Sequence, residues 1–341
     1  MRRWNGWGDE QVESQLPAGA QNMLESLVGR PTPQQSVHRQ EVTARVPDSR
    51  VNVAEARVSA DPGDRLDHAH GQSFPDWVAV RCGTLSRFPD AVAWPESESR
   101  LEEVLAFADK HRMIVVPYGG GTSVVGHLDV PESDAPVLSL SLQRLNQFLE
   151  FEPENRLATF GAGVSGPDLE AALRSKGYTL GHYPQSFEYS TLGGWVVTRS
   201  SGQQSRYFGR IEELFAGGAA VTPRGNIQFP PYPASAAGPD LRQIFLGSEG
   251  RLGILSRATV RVQELPETDE VYGVFFPTWE AGASAVRELA AADLPLSMIR
   301  LSNPRETMTN LVLAGHETEI AWLKKYLRFR GCYDDVCCML L

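Results

Sequence analysis

Three consecutive glycines, Gly119, Gly120 and Gly121, run into the hydroxyl residues Thr122 and Ser123. Without Cβ atoms such a backbone can turn through positive φ and present its N–H groups together to an anion. The two hydroxyls add donors at the same place. A phosphate-bearing ligand is the economical expectation, with a flexible glycine turn as the alternative. A second stretch, 185–210, is dense in Ser, Thr, Gln and Gly, yet it carries the apolar Leu192, Trp195, Val196 and Val197. Buried hydroxyls and amides need hydrogen-bond partners, and a large polar ligand lying along this segment would supply them; a polar surface loop is the alternative. Gly247, Gly250 and Gly253 imply a further close approach of backbone to a ligand or a neighbouring strand. Arg300 offers a guanidinium, which grips phosphate or carboxylate through two parallel hydrogen bonds; a surface ion pair with Glu306 is the alternative.

The elements that must position these residues follow from pattern. Ser99-Arg100-Leu101-Glu102 reads as a capping box, and Leu101, Val104, Leu105 and Ala108 follow at helical spacing. Met113–Val116 is then a short buried strand leading into Pro117-Tyr118 and the glycines. Val137–Leu142 and Arg156–Phe160 read as strands. Gly161-Ala162-Gly163-Val164-Ser165-Gly166 satisfies the dinucleotide pattern GxGxxG, with a helix predicted over Pro167–Lys176, Ser165 and Asp168 in capping positions and Gly177 as its stop. The preceding strand is too polar for the centre of a parallel sheet, and the acidic residue at the right distance, Glu188, falls in a loop-like stretch. A turn that packs a helix close against a strand is the preferred role, with a Rossmann site as the alternative.

Composition bounds the rest. The chain has 341 residues, 42% hydrophobic and 22% charged, the profile of an ordinary globular protein of about two domains. Its net charge of −10 argues against nucleic acid, whose phosphates need a basic face. No apolar run reaches the roughly 18 residues that span a bilayer, and the N-terminus lacks the apolar segment of a secretory signal. Cys82, Cys332, Cys337 and Cys338 lack the paired spacing of a zinc site; reduced thiols and no metal are expected. Residues 1–80 show weak periodicity and read as an extended or partly helical arm. The stretch from Gly29 to Gln40 is linker-like, and order is expected to begin at Trp77–Val80.

Pro117–Ser123, Gln185–Thr191, Thr198–Ser201 and Glu249–Leu255, in this order and spacing, resemble the FAD-binding domain of the PCMH-type flavoproteins of the vanillyl-alcohol-oxidase superfamily. Trp4–Gly8, His70-Gly71-Gln72, Gly119–Val124, Ser190–Trp195, Ser201–Gln204 and Ile299-Arg300-Leu301 are similar to the alkyldihydroxyacetonephosphate-synthase-like group and its bacterial FAD-linked relatives. The resemblance spans most of 60–330. It implies an α+β protein: an arm over 1–83, a PCMH-type FAD-binding domain of two α/β subdomains over 84–266, and the first part of an α+β cap, or substrate, domain over 267–341. It also implies that Pro117, Tyr118, Gly119, Gly120, Gly121, Thr122 and Ser123 hold the FAD pyrophosphate. Gln185, Ser186, Glu188, Ser190, Thr191, Thr198, Arg199, Ser200, Ser201, Glu249, Gly250, Leu252, Gly253 and Ile254 would line the rest of the cofactor. Many relatives attach the flavin to a histidine in the glycine loop. Thr122 stands in that neighbourhood and His127 lies past it, so FAD is expected to be non-covalent.

For activity the resemblance implies an FAD-dependent enzyme with Arg300 catalytic, exchanging an acyl for an alkyl group on acyl-dihydroxyacetone phosphate in ether-lipid synthesis, with no net change in flavin oxidation state. An FAD-dependent oxidoreductase of 2-hydroxy acids such as D-lactate or glycolate, and an inactive FAD-binding fragment, are the alternatives. The substrate is expected to be a small anion, the assembly to be compatible with a homodimer, and the location cytoplasmic, because Met339-Leu340-Leu341 is not a peroxisomal address. Beyond Val271–Phe276 (strand), Trp279–Ala292 (helix), Leu296–Leu301 (strand) and Ile320–Arg328 (helix), the apolar Val336–Leu341 strand is expected to be left with an unpaired edge, a sign of a chain cut short. The family's catalytic tyrosine and histidines are therefore not expected to be carried by any residue here.

Overall fold

The computed structural model describes residues 2–12, 15–32, 36–52, 57–233 and 236–341. The chain divides into two compact units: Met1–Glu10, Gln35–Gln203 and Phe208–Leu265 form one, and Gln11–Gln34, Gln204–Tyr207 and Pro266–Leu341 the other. In chain order the strands are β1 (Ala91–Ala93), β2 (Ile114–Tyr118), β3 (Val137–Ser141), β4 (Phe148–Glu152), β5 (Leu157–Gly161), β6 (Tyr178–Thr179), β7 (Phe215–Thr222), β8 (Gly225–Phe229), β9 (Ile254–Arg261), β10 (Gln263–Glu264), β11 (Gly273–Phe276), β12 (Arg300–Ser302) and β13 (Cys337–Leu340).

The first unit holds two main sheets. The smaller is parallel, in the order β1-β3-β2, and its central strand is buried along its whole length, as a parallel strand covered on both faces must be. The Glu98–Lys110 helix packs Leu101, Val104, Phe107 and Ala108 on it. Ser97, not Ser99, caps this helix, accepting from the Arg100 N–H; the capping box expected at Ser99 starts two residues late, and the Ser99 hydroxyl lies 3.0 Å from that of Ser97. The larger sheet is antiparallel, ordered β4-β5-β9-β7-β8, and its core gathers Phe160, Leu169, Trp195, Phe215 and Val260.

The GxGxxG turn is closed against protein. A Cβ on Gly163 would lie 1.8 Å from the Leu142 carbonyl oxygen, and one on Gly166 would lie 2.4 Å from that of Phe187. β5, which leads into the turn, is antiparallel to both its neighbours. The turn therefore packs helix Gly166–Arg174, capped by Ser165, and no Rossmann crossover exists here.

Residues 36–52 and 57–83, expected as an arm, instead fold on the parallel sheet. Val42, Leu66, Ala69 and Phe88 form one buried cluster with Val137, and Trp77–Val80 lies inside the helix Phe74–Arg81. Arg50 donates to both carboxylate oxygens of the buried Asp90, at 2.8 and 2.7 Å, and Asp90 also accepts from the Val137 N–H. Burial pushes the Asp90 carboxyl up, but these hydrogen bonds hold it below the usual carboxylate range. Glu13, Ser14 and 33–35 lie outside the described residues, so the linker expected over Gly29–Gln40 is described only in part.

In the second unit, β13 is the central strand of the antiparallel order β11-β13-β12. The unpaired edge expected for it is absent, because β11 and β12 take both sides. The sequence also missed the helix Pro304–Leu313, which Asn303 caps by accepting from the Glu306 N–H; Asn-Pro with Glu at the third helical position is its visible start signal. Among the described residues no helix is long and apolar enough to cross a membrane.

Candidate functional site

The glycine loop hangs from the C-terminal end of β2, where a parallel sheet opens its crevice. Residues far away in sequence brace it. The Tyr118 hydroxyl donates to the Asp67 carbonyl at 3.1 Å, and the Gln72 N–H donates to the Ser123 carbonyl at 2.6 Å. Burial pushes the Tyr118 phenol up and the His68 and His70 imidazoles down, so all three stand as neutral packing groups at neutral pH. Gly120 packs directly on another chain segment: a Cβ there would lie 1.7 Å from the Tyr189 carbonyl oxygen. Gly121, at φ 65°, would bring its Cβ within 1.9 Å of the Tyr118 hydroxyl. Gly119 and Gly120 are thus required by the seam between the loop and 189–191, and Gly121 by its turn over the Tyr118 ring, reasons the sequence did not reveal. Among the described residues no protein acceptor is placed on the N–H of Gly120, Gly121, Thr122 or Ser123.

A cavity of about 470 Å³ opens against this loop, within the range of small-molecule sites. Its wall includes the whole of Pro117–Ser123, together with Ser186, Ser190, Thr191, Thr198, Ser200, Glu249, Gly250, Gly253 and Ile254. Gln185, Glu188, Arg199, Ser201 and Leu252 are not in the wall. Gln185, Glu188 and Ser201 point to solvent, Leu252 is 48% exposed, and Arg199 caps a helix in a left-handed turn and donates to Gln243. Sequence reasoning missed Val124, Val125, His127, Leu128, Leu142, Gly193, Gly194, Trp195, Val197 and Leu255, which also line the cavity. The apolar character of Leu128, Leu142, Trp195, Val197 and Leu255 signals core, and only the fold turns that face toward a cavity.

The wall from Leu192 to Thr198 is a helix. Thr191 caps it by accepting from the Gly194 N–H, and the buried Trp195 indole donates to Ser190 Oγ at 2.7 Å. His182, fully buried, sits edge-on to Trp195 with ring centroids 5.0 Å apart, and its Nε2 lies 2.8 Å from Ser200 Oγ. Burial pushes the His182 imidazole down to about 4 from its ordinary 6.5, so it is neutral and its contribution to stability is fully present above pH 6.5 and lost as pH falls through about 4. His182→Gln is expected to flatten that acid slope by up to about 3 kcal/mol; melting midpoints of both proteins across this pH window check it, and parallel slopes would refute it.

The cofactor that the resemblance implies fits what is present. Gly120–Ser123, on whose N–H groups no protein acceptor is placed among the described residues, line the cavity together with the hydroxyl residues Ser186, Thr191 and Ser200, and the buried Ser248 Oγ, next in chain to the lining residue Glu249, has no protein partner among the described residues. An elongated, polar, phosphate-bearing group suits that donor set. His127 lies in the wall, its Nδ1 3.9 Å from Glu249 Oε2.

In the second unit, Arg300 donates to Glu306 Oε1 at 2.6 Å. This is the ion pair weighed as its alternative role, and it holds the Glu306 carboxyl below its usual range. The guanidinium is half exposed, which leaves donors free to solvent.

Comparison with known proteins agrees over both parts of the chain. Residues 89–229 match the family described as FAD binding domain, and 265–341 match the C-terminal domain of the FAD linked oxidases. Alkyldihydroxyacetonephosphate synthase of Dictyostelium discoideum is 34% identical over 284 residues, covering 81% of this chain and 46% of that protein. Glycolate oxidase subunit GlcD of Bacillus subtilis is 32% identical over 219 residues, covering 63% and 46%. A solved structure of an alkyldihydroxyacetonephosphate synthase superposes with a TM-score of 0.87 at 28% identity, covering 99% of this chain and 69% of that one. The chain spans about half the length of the curated relatives it matches. The chain thus carries an FAD binding domain followed by the C-terminal domain of the FAD linked oxidases.

Proposed function

We propose that this chain is the FAD-binding part of an enzyme that exchanges the acyl group of an acyl-dihydroxyacetone phosphate for an alkyl group, the ether-lipid reaction of the synthases it resembles. One observation carries the cofactor assignment: a cavity walled by the glycine loop, the Ser190–Thr198 segment and the Glu249–Leu255 turn, with no protein acceptor placed, among the described residues, on the N–H groups of Gly120–Ser123. Bound FAD supplies the electron-accepting and electron-returning ring. Gly120, Gly121, Thr122 and Ser123 hold its pyrophosphate, and Trp195 and its helix shape the wall. FAD is held non-covalently. The similarity to the synthases favours an anionic, phosphate-bearing substrate, and Arg300 grips that anion.

Incubation of the FAD-loaded chain with an acyl-dihydroxyacetone phosphate and a fatty alcohol tests the reaction. Alkyl-dihydroxyacetone phosphate and free fatty acid are the expected products. The similarity to a glycolate oxidase subunit favours a second reading, oxidation of a 2-hydroxy acid. Anaerobic mixing with D-lactate or glycolate would then bleach the flavin, whereas the synthase reading expects no bleaching. Failure in both assays by a chain that carries flavin would leave an inactive FAD-binding fragment.

Arg300→Ala is expected to leave flavin content unchanged and to weaken dihydroxyacetone phosphate binding by roughly tenfold to a hundredfold, the loss of a bidentate charge-assisted pair. Titration of the bound flavin's absorption spectrum with this ligand measures it. Loss of flavin in the variant, or unchanged affinity, would make Arg300 a structural partner of Glu306 only.

A further inference from the structure

The N-terminal residues 2–9 fold as a tight clip on the cofactor loop. Arg2 and Asp9 form an antiparallel bridge, the Arg3 N–H donates to the Gly8 carbonyl at 2.8 Å, and Gly8 turns through φ 95°. Arg81 holds the clip from below, its Nε donating to the Asn5 carbonyl at 3.0 Å. Two residues of the clip then reach the seam described above. The Arg2 guanidinium donates through Nη1 to the Gly120 carbonyl at 2.6 Å, with Nη2 3.5 Å from the Gly121 carbonyl. Its carbon lies 5.0 Å from the centroid of the Tyr189 ring, and the Trp7 ring meets Tyr189 edge-on at 5.0 Å. One side chain therefore grips both partners of the seam: the two glycine carbonyls and the residue whose own carbonyl packs on Gly120.

A peptide plane fixes its N–H opposite its C=O. Holding the Gly120 and Gly121 carbonyls back by a cation sets the direction of the next N–H groups, those of Gly121 and Thr122, and polarises them toward a stronger donor state. The same guanidinium adds positive charge behind a loop that has no lysine or arginine of its own between Val115 and Gln143, in a chain whose net charge is −10. We propose that Arg2 is a positioning residue for the cofactor pyrophosphate: it acts through the Gly120 and Gly121 carbonyls to aim the loop's donors into the cavity, and residues 2–9 are a working part of the FAD site. The proposal rests on the FAD reading of that cavity.

The test uses the full chain loaded with FAD. Arg2→Ala is expected to release FAD on dilution roughly tenfold faster, the loss of one charge-assisted hydrogen bond, followed as the gain in flavin fluorescence. The melting midpoint in saturating FAD, followed by circular dichroism, stays within about 2 °C of the unsubstituted chain, because the clip's other anchors remain. Arg2→Lys, which keeps a cation in reach of the carbonyls, recovers part of the retention. Unchanged release in Arg2→Ala would overturn the proposal. So would faster release accompanied by an equal collapse of the melting midpoint that Arg2→Lys does not rescue, which marks a merely structural clip. An unsubstituted chain that binds no FAD would overturn the cofactor reading itself, and the clip's role with it.

Discussion

Gly120→Val is expected to yield a chain without measurable bound flavin, at least a hundredfold weaker in affinity, and destabilised by about 3 kcal/mol or more. The cause is steric and local. A Cβ at Gly120 would stand 1.7 Å from the Tyr189 carbonyl oxygen and 2.9 Å from the Ser190 Cα. Both neighbours are backbone, so no rotamer change relieves the clash. The loop and the 189–191 segment must separate, and with them the two walls that meet at the cavity. Gly194 supplies the contrast. It lines the same cavity, but a Cβ there would meet only the Thr191 Oγ1, at 3.3 Å, and the residue is inside a helix. Gly194→Ala is expected to stay within about 1 kcal/mol of the parent, the helix preference for Ala offsetting a small shift of Thr191. Chemical denaturation and flavin content measured on both variants separate the cases. A flavin-replete Gly120→Val would refute the seam.

Trp195→Ala is expected to cost about 4 kcal/mol, since a buried indole is removed and its neighbours collapse only partly. The ring is 2% exposed and stacks parallel to Phe187 with centroids 6.4 Å apart. It meets His182 on another side, and its N–H is satisfied by Ser190. Loss of the indole would open the helix wall into the core beneath it and free Ser190 and His182 to move. A fall in melting midpoint of roughly 10 °C follows from that cost, together with weaker flavin retention. Trp195→Phe, which keeps most of the apolar bulk and loses the N–H, is expected to fall between the two. A melting midpoint for Trp195→Ala equal to that of the parent would show that the wall is not part of the packed core.

The sequence carried the local rules well and the non-local ones poorly. The glycine loop, the helix Gly166–Arg174 that follows the GxGxxG turn and the helix Trp279–Ala291 are legible because each is set by neighbours a few residues apart: glycine conformational freedom, a serine or threonine cap, an apolar stripe. The walls of the cavity follow the same logic only in part. Ser190, Thr191 and Ser200 advertise themselves by polarity, whereas Trp195, Val197 and Leu142 look like any core residue until the fold aims them at a cavity. Gln185, Glu188 and Ser201 have the right chemistry, but turn and helix geometry send them to solvent.

Residues 36–52 and 57–83 were illegible for a different reason. They bury single side chains such as Val42, Leu66 and Val80 at irregular spacing, which leaves no periodicity to read. The place of β13 is equally invisible: its partners lie 61 or more residues upstream along β11 and 36 or more along β12, from Phe276↔Cys337 and Ser302↔Cys338, and pairing at that range leaves no mark on the strand itself. The Arg2 clip is the extreme case. A contact between residue 2 and the Gly120 carbonyl has no local signal at all.

The central claim, that the cavity at Gly119–Ser123 holds FAD without a covalent bond, is tested most directly by purifying the full chain and precipitating it with acid. One FAD per chain released into the yellow supernatant is the expected result. A colourless protein that takes up no added FAD would contradict the site. Flavin that stays with the precipitated polypeptide would contradict the non-covalent assignment and point to His127 in the cavity wall as its attachment.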